Sequence, residues 1–490
     1  MLRRSSLSHA LQRALRLVCT LACAGCAAAH FGETEIQGVD APAAWSESAS
    51  ANNAVSVSDL GAWWIRFADP ILSSLIDSAL EGNTDVQQAS AALEQANALR
   101  DVAAAALSAT LGYSASAQRN FNGETTAVNN LQAGFNAAWN PDVSGAGQRA
   151  LDAANANVQV VLAQWRSAQS SAASALALNY IVLRSSQARL AVAQENLVSQ
   201  QDTLQIVQWR NQAGLIGAIA LEQALAAAQQ TSAQLPALEQ AIARTQHALA
   251  VQTGRAPVAL SAWLVAPAPL PLAHAGVQLM TPAATLLARP DVRAAQYRVT
   301  RSMADVGQAQ ARRYPTLGLG ANLGVGAAST AALSGGSALL AGLAISLAGP
   351  LFDGGTLQGQ VRAAQAALLQ ARAAYRGTQL LALQEVEDAL VSLRTDSARA
   401  TQLQSAADAA GQAASMARLQ FESGLVDFQI VLETQRSQLS AQDNKALVDA
   451  NVSSDQVRLY NALGGGWRPG DAPLPEQPIN PQTAAPPPTP

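Results

Sequence analysis

Aromatic residues make up only 4% of this 490-residue chain, and charged residues only 13%. So few large rings leave little material for a wide globular core, whereas abundant alanine favours long, closely spaced helices. The formal net charge of −4 and the lack of a basic stripe argue against nucleic acid as a partner. These shortages favour an elongated, mainly helical architecture over a row of ordinary globular domains.

Cysteine is confined to the first 26 residues, at Cys19, Cys23 and Cys26. The rest of the chain therefore lacks a disulfide framework and a cysteine-based metal site. Residues 1–25 have the arginines and the short apolar run of a secretory signal peptide. Their end, LACAGC, resembles the lipidation signal of bacterial lipoproteins, so Cys26 is expected to carry a lipid. Cys23 is the alternative acceptor, and an ordinary signal peptide cut near residues 27–29 is the other possibility.

Long apolar runs and catalytic motifs are also missing. No stretch beyond the signal segment has 18 uncharged apolar residues in a row, so any membrane crossing must use strands. The scattered histidines have no metal-ligand spacing, and no P-loop or nucleophile elbow occurs. The acidic residues Glu385, Glu387 and Asp388 lack a partner constellation and are interpreted as a solvated helix face. We expect neither an enzyme nor a metal or cofactor site.

A duplication is visible at an offset of about 210 residues. Thr110-Leu111-Gly112 recurs as Thr316-Leu317-Gly318, and Gly214-Leu215 recurs as Gly424-Leu425. The first offset is 206 and the second is 210, which places a four-residue length difference within residues 118–145 and their second copy. A Pro-rich stretch joins the copies. The predicted divisions are a signal peptide at 1–25, a lipidated segment at 26–60, repeats at 61–256 and 282–467, a linker at 257–281, and a disordered tail at 468–490.

Each copy changes its hydrophobic period in the same order. A helix, at about 70–108 and again at 282–312, is followed by two runs in which apolar residues alternate with small or polar ones. Such alternation predicts two strands with one apolar face, long enough to cross a bilayer at a tilt. Four strands cannot close a membrane barrel, which needs about eight, so several chains would have to share one. An ordinary sheet packed on the helices is the alternative.

Long helices follow the strands. Residues 151–212 contain neither glycine nor proline, residues 357–423 contain no proline, and residues 426–463 again contain neither. A helix of about 60 residues is roughly 90 Å long, which indicates coiled-coil organisation. From Leu176 to Leu204 a leucine recurs every seven residues beside small and polar positions. This pattern suits a helix in a curved wall that is wet on one side, although an antiparallel hairpin with a partly polar interface fits it too.

Six motifs occur in the order of a known family. They are WWIRFADPILSSLIDSALEGNTDV at 63–86, RPDV at 289–292, YPTL at 314–317, PLFDGG at 350–355, EVEDAL at 385–390 and LYNALGGGW at 459–467. In these motifs the chain resembles the TolC-like bacterial outer membrane efflux proteins, in particular their lipoprotein (NodT-type) branch. Ala109 stands where the second copy has Pro315, and the tail after Trp467 departs from the family pattern.

The resemblance implies a homotrimer in which each chain gives four strands to one transmembrane β-barrel. The long helices would continue as an α-helical coiled-coil barrel through the periplasm. The implied function is a passive outer membrane duct that exports small molecules. The implied partners are outer membrane lipid, a periplasmic membrane-fusion adaptor and an inner-membrane pump of the RND type. The alternatives are a type I protein-secretion duct and a periplasmic coiled-coil scaffold or adaptor without a channel.

Two breaks in the helical pattern are the candidate sites. The turns at Gly214-Leu215-Ile216 and Gly424-Leu425-Val426 are expected at the periplasmic tips of helical hairpins and are candidates for adaptor contact. By resemblance, Gln429 and Glu433, with Asp427 nearby, would line the aperture of the duct. The first break is expected to lack one residue between its glycine and the Leu-Glu pair that follows.

Overall fold

The structure is a computed structural model that describes residues 38–46, 60–122, 125–273, 279–327 and 339–467, without the side chains of 120–128. A short 3-10 helix at Trp63–Phe67 comes first. The first copy contains α1 (Pro70–Gly82), α2 (Thr84–Ala105), β1 (Thr110–Asn122), β2 (Thr125–Trp139), α3 (Ala146–Gln212) and α4 (Ala218–Gln252). The second contains α5 (Pro282–Ala288), α6 (Pro290–Ala311), β3 (Thr316–Ala327), β4 (Leu339–Ala348), α7 (Thr356–Glu422) and α8 (Phe428–Ala462).

The two copies match in length and position, which confirms the internal repeat. Both α3 and α7 have 67 residues, and both α4 and α8 have 35. The starts of β1 and β3 differ by 206, from Thr110 to Thr316, and those of α3 and α7 by 210, from Ala146 to Thr356. The four-residue step therefore lies within the hairpins, as expected. At 1.5 Å per residue, each long helix extends for about 100 Å.

The helices expected at 70–108 and 282–312 are each divided in two. Asn83 separates α1 from α2 in an extended conformation, and its side chain accepts from the amides of Asp85 and Val86 as the N-cap of α2. Arg289 is also extended, because the residue before Pro290 is sterically kept out of the helical region. The sequence contained both signals, an Asn-Thr-Asp cap and an Arg-Pro step.

The four described strands form one antiparallel sheet in the order β1-β2-β3-β4. Strand β2 pairs with β1 through Tyr113–Phe135, and β2 pairs with β3 through Phe135–Leu323. Strand β3 pairs with β4 through Leu319–Ile345. The predicted alternation is therefore correct, and the β2–β3 pairing joins the first copy to the second.

The main hydrophobic core lies midway along the long helices. Trp63 stacks on Tyr460 of α8 with ring centroids 5.7 Å apart, and Trp64 and Phe67 pack edge-on against Trp63. The Tyr180 hydroxyl donates to Asp69 at 2.7 Å, while the other oxygen of Asp69 caps α1. Burial and then the hydrogen bond to Asp69 raise the pKa of Tyr180. A cluster of aromatic residues thus lies where α1, α3 and α8 meet.

Towards the tip of the first hairpin, the packing of α3 differs from the leucine pattern. Leu176 and Leu183 are buried, but Leu190, Leu197 and Leu204 are only half-buried. The residues three positions after these half-buried leucines are buried instead, namely Ala193, Gln200 and Val207. Small and polar side chains therefore make up most of the buried positions of α3 in this half.

Within the described ranges, no helix combines the length and the apolar character that a membrane span requires.

Candidate functional site

Both hairpin tips are built by the same backbone motif. Gly214 (φ 71°) and Gly424 (φ 77°) adopt the left-handed conformation that ends a helix. The amide of Leu215 donates to the Arg210 carbonyl at 2.9 Å, and that of Leu425 to the Gln420 carbonyl at 2.8 Å. These bonds, with those from each glycine, form a Schellman motif. Glycine is favoured there because a side chain would strain the left-handed backbone.

The two tips pack against each other through a small apolar cluster. Phe421 and Phe428 of the second hairpin lie 5.9 Å apart and join Val207 of α3 in this cluster. The Arg210 guanidinium lies 4.4 Å from the Phe421 ring, and its Nη2 donates to the Glu422 carbonyl at 2.8 Å. The first tip is therefore fixed to the second.

The predicted contact residues divide into two kinds. Leu215 and Leu425 are 73% and 75% exposed, although a leucine is costly to leave in water. Ile216 and Val426 are half-buried and pack on the tip cluster. Of the four apolar side chains at the tips, the two leucines thus present most of their surface to solvent, while Ile216 and Val426 pack beneath the turns.

The predicted aperture residues lie at the start of α8. Asp427 is the N-cap residue of α8, but its carboxylate accepts no capping hydrogen bond from the first turn of the helix. Gln429 and Glu433 are exposed and one turn apart, so they share a helix face. Phe428 and Leu432 are buried in the tip cluster, which places Gln429 and Glu433 away from it.

The Leu-Glu pair of the first tip lies one residue closer to its glycine than that of the second, as expected, but the turns themselves are equally long. Three residues lie between Gly214 and the start of α4, as three lie between Gly424 and the start of α8. At the constant offset of 210, the counterparts of Asp427, Gln429 and Glu433 are Gly217, Ile219 and Gln223. The Leu-Glu pairs of the two copies are therefore not equivalent. The acidic residues belong to the second copy alone.

Polar contacts join α3 to α8 further along the hairpins from the tips, and no sequence pattern predicted them. Gln435 donates to the Thr203 hydroxyl at 2.9 Å. Asn196 donates to Gln442 at 2.7 Å. Further from the tip, Arg189 and Asp443 form an ion pair at 2.6 Å. The only sequence signal was the row of small and polar residues beside the leucines.

The sheet presents one apolar face that nothing else in the described chain covers. Leu111, Ala137, Ala321 and Leu343 form one row across the four strands. Leu343 is 90% exposed. The opposite face carries glycine, serine and asparagine, such as Ser346 and Asn322. An uncovered apolar face on strands of 10 to 15 residues matches the lipid-facing surface of a membrane barrel.

The proposed lipidation sites Cys26 and Cys23, the signal peptide and the Pro-rich tail lie outside the described residues.

Comparisons with known proteins agree with this architecture. The chain is 32% identical over 448 residues to the pyoverdine export outer membrane protein OpmQ of Pseudomonas putida, covering 88% of this chain and 93% of OpmQ. It is 27% identical over 409 residues to nodulation protein T of Rhizobium leguminosarum bv. viciae, covering 83% and 85%. The solved outer-membrane channel OprN superposes with a TM-score of 0.81 at 30% identity, over 89% of this chain and all of OprN.

The family assignment rests on both copies. A model of the family described as "Outer membrane efflux protein" matches residues 75–255 and 281–465. These segments contain both long hairpins and all four described strands. Relatives such as OpmQ and the toluene efflux pump protein TtgF are named as outer membrane proteins of export or efflux, which favours a duct over a periplasmic scaffold. The chain belongs to the outer membrane efflux protein family and has its TolC-like fold.

Proposed function

We propose that three copies of this chain form one passive outer membrane duct of a tripartite efflux system. The observation that supports it is a four-stranded sheet with an uncovered apolar face, continued by helices of 67 residues. Four strands are about half of the smallest membrane barrel, whereas three copies would supply twelve. Helices of about 100 Å would then carry the tube across the periplasm.

The duct itself does no chemistry in this proposal. An inner-membrane pump, of the RND type by family resemblance, supplies the energy, and a periplasmic membrane-fusion adaptor joins the pump to the duct. The small and polar surface of the sheet would line the water-filled interior, since the apolar surface faces lipid.

Small molecules are the proposed cargo. The relative OpmQ is named for pyoverdine export, and this chain is 32% identical to it over 93% of its length. A type I protein-secretion duct is the second candidate. A transport assay with small fluorescent substrates would separate the two, because a secretion duct would leave their accumulation unchanged.

The exposed leucines of the tips, Leu215 and Leu425, are proposed to contact the adaptor, with Gly214, Ile216, Gly424 and Val426 shaping the turns. Gln429 and Glu433, with Asp427, are proposed to form the aperture where three second hairpins approach the axis. Covering these two leucines with a partner would remove apolar surface from water, which would favour binding. A ring of three carboxylates would attract cations.

Cys26 is proposed as the lipid anchor on the outer membrane. Metabolic labelling with palmitate tests this: Cys26→Ser should abolish the label. Labelling that persists in Cys26→Ser and disappears in Cys23→Ser would move the anchor to Cys23.

The central experiment is the oligomeric state and conductance of protein solubilised from outer membranes. We expect a trimer by mass that forms ion-conducting pores in planar bilayers. A monomer, or a trimer that never conducts, would refute the duct.

A further inference from the structure

The two outer strands of the sheet are unpaired on one side. Strands β1 and β4 are the first and last in the order, so each has one row of backbone N–H and C=O groups with no ladder partner in the described chain. Such edges pair readily with another strand. In a membrane they must be paired, because no water reaches the backbone there.

The chain contains a template for that missing pairing. Strand β2 ends the first hairpin and β3 begins the second, so the β2–β3 ladder joins one copy of the repeat to the next. In this ladder Asn136 lies opposite Asn322, and Phe135 lies opposite Leu323. A junction between β4 and β1 of another chain would join the second copy of the repeat to a first copy in the same way.

The offsets between the two copies of the repeat translate the β2–β3 pairing into the expected β4–β1 pairing. Thr110 of β1 corresponds to Thr316 of β3, an offset of 206, and Ala138 of β2 corresponds to Ala348 of β4, an offset of 210. The same offsets also relate the two hairpins to each other. They convert the observed pair Tyr113–Phe135 of the first hairpin into Leu319–Ile345, which is the observed pair in the second. The two hairpins therefore have the same register.

We propose that β4 of one chain pairs with β1 of a second copy in the register of the internal β2–β3 junction. Ser346 then lies opposite Ser116 of the second copy, as Asn136 lies opposite Asn322. Ile345 lies opposite Ala117 of the second copy, as Phe135 lies opposite Leu323. This inference rests on the proposed trimer and adds the residues that meet between its chains.

The chemistry of both faces is consistent with this register. Ile345 and Ala117 belong to the apolar face, whereas Ser346 and Ser116 belong to the polar face. A slip by one residue would bring the two faces out of match and is excluded by the pleat. A slip by two residues keeps the faces matched, so registers that pair Ser346 with Ser114 or Gln118 are the true competitors.

Disulfide trapping in the full-length chain distinguishes these registers. The double variant Ser346→Cys/Ser116→Cys places its thiols opposite each other only between chains. Within one chain, three strand spacings of about 4.8 Å separate β1 from β4, which is too far for a disulfide. Directly opposite residues are within bonding distance, whereas diagonal neighbours are about 7–8 Å apart. The described part of the chain contains no native cysteine to compete.

Two kinds of control belong to the experiment. Ser346→Cys/Ser114→Cys and Ser346→Cys/Gln118→Cys test the shifted registers on the same face. Asn136→Cys/Asn322→Cys tests whether oxidation can trap a known opposite pair within one chain. A second test variant, Ile345→Cys/Ala117→Cys, lies one position further along the same proposed register. Opposite residues alternate between hydrogen-bonded and closer, non-hydrogen-bonded pairs, so one of the two test variants has the closer spacing. Single-cysteine variants measure background from the N-terminal cysteines.

Mild oxidation in outer membranes should convert the Ser346→Cys/Ser116→Cys chain into a covalent trimer on a non-reducing gel. The shifted pairs should stay mostly monomeric. Stronger trapping of a shifted pair would overturn the register and leave the duct intact. If the control pair forms its disulfide and no interchain pair does, the β4–β1 contact is refuted. The mass of the solubilised protein then shows whether the trimer fails with it.

Discussion

The Arg289 guanidinium donates from Nη1 to the carbonyl oxygen of Ala462 at 2.9 Å, and thereby binds the last turn of α8. The first copy has the same contact with different chemistry: the Asn83 side-chain amide donates to the Gln252 carbonyl, at the end of α4, at 3.0 Å. Arg289 corresponds to Asn83 at the offset of 206, and Ala462 to Gln252 at the offset of 210. In both copies, the residue between the first two helices therefore donates a hydrogen bond to the last turn of the second long helix: Asn83 to α4, and Arg289 to α8.

Arg289 has a second role that Asn83 lacks. It forms ion pairs with Asp291 at 2.7 Å and Glu385 at 2.6 Å, and its side chain is only 8% exposed. Burial on its own would lower the pKa of Arg289, but Asp291 and Glu385 outweigh it and raise that pKa. The second copy thus carries an ion-pair link from α6 to α7 at this position.

Arg289→Ala should destabilise the folded protein by about 2 kcal/mol, because it removes a donor from Ala462 and a partner from two carboxylates. Both carboxylates are partly exposed, which keeps the loss near the lower end of the range for buried pairs. Unfolding of the detergent-solubilised protein in denaturant measures it. The control Arg399→Ala removes an ion pair with Asp396 within α7 whose arginine is exposed, and it should cost less than about 0.5 kcal/mol. Equal losses in the two variants would contradict the assigned role.

The sequence predicted what depends on local pattern and on duplication. Strand alternation, the long helices and the glycine turns follow from residues close in the chain, such as Gly424 with Leu425. It did not predict contacts between distant helices, such as Asn196–Gln442, because a polar residue in a heptad has no visible partner. The sequence also did not show which residues of the two tips are equivalent. Glu433 lies in a Leu-Glu pair that resembles one in the first copy, but the constant offset of 210 makes Gln223 its counterpart.

Asp455 is predicted to cost stability at neutral pH. It is 2% exposed, Arg458 donates to one of its oxygens at 2.9 Å, and the other oxygen has no hydrogen-bond partner. Burial raises the pKa of Asp455; Arg458 opposes the rise and Asp396 adds to it. In the unfolded chain this carboxyl has its ordinary pKa of 3.8, whereas in the folded protein its pKa is higher. Between these two pKa values the folded protein therefore binds more protons than the unfolded chain, and the stability of the fold falls as the pH rises through that range.

Asp455→Asn should therefore raise the melting temperature at pH 7, since the amide can still accept from Arg458 and carries no buried charge. The gain should shrink as the pH approaches 3.8 and both proteins are neutral at this position. Thermal unfolding of the two proteins across this pH range is the measurement. An asparagine variant that melts at the same or a lower temperature at pH 7 would show that the carboxylate is stabilising.

The exposed leucines of the tips should matter for export and not for folding. Leu215→Asp and Leu425→Asp should each weaken adaptor binding about tenfold, as expected for losing one well-packed apolar contact. Their melting temperatures should stay close to wild type, because both side chains lie largely in solvent. Val258→Asp is the matched control, since Val258 is 71% exposed and lies in the segment between the copies. An equal export defect in Val258→Asp would contradict the proposal that the tip leucines contact the adaptor.

Glu433 should set the ion preference of the pore. Three Glu433 carboxylates near a common axis would concentrate cations, so Glu433→Ala should lower the cation-to-anion permeability ratio and weaken block by divalent cations in planar bilayers. Glu222→Ala is the control, because Glu222 is exposed at nearly the same distance from the tip of the first hairpin. Only the second hairpin is proposed to approach the axis, so Glu222→Ala should leave the ratio unchanged. If both variants conduct like wild type, Glu433 is an ordinary surface residue and the aperture lies elsewhere.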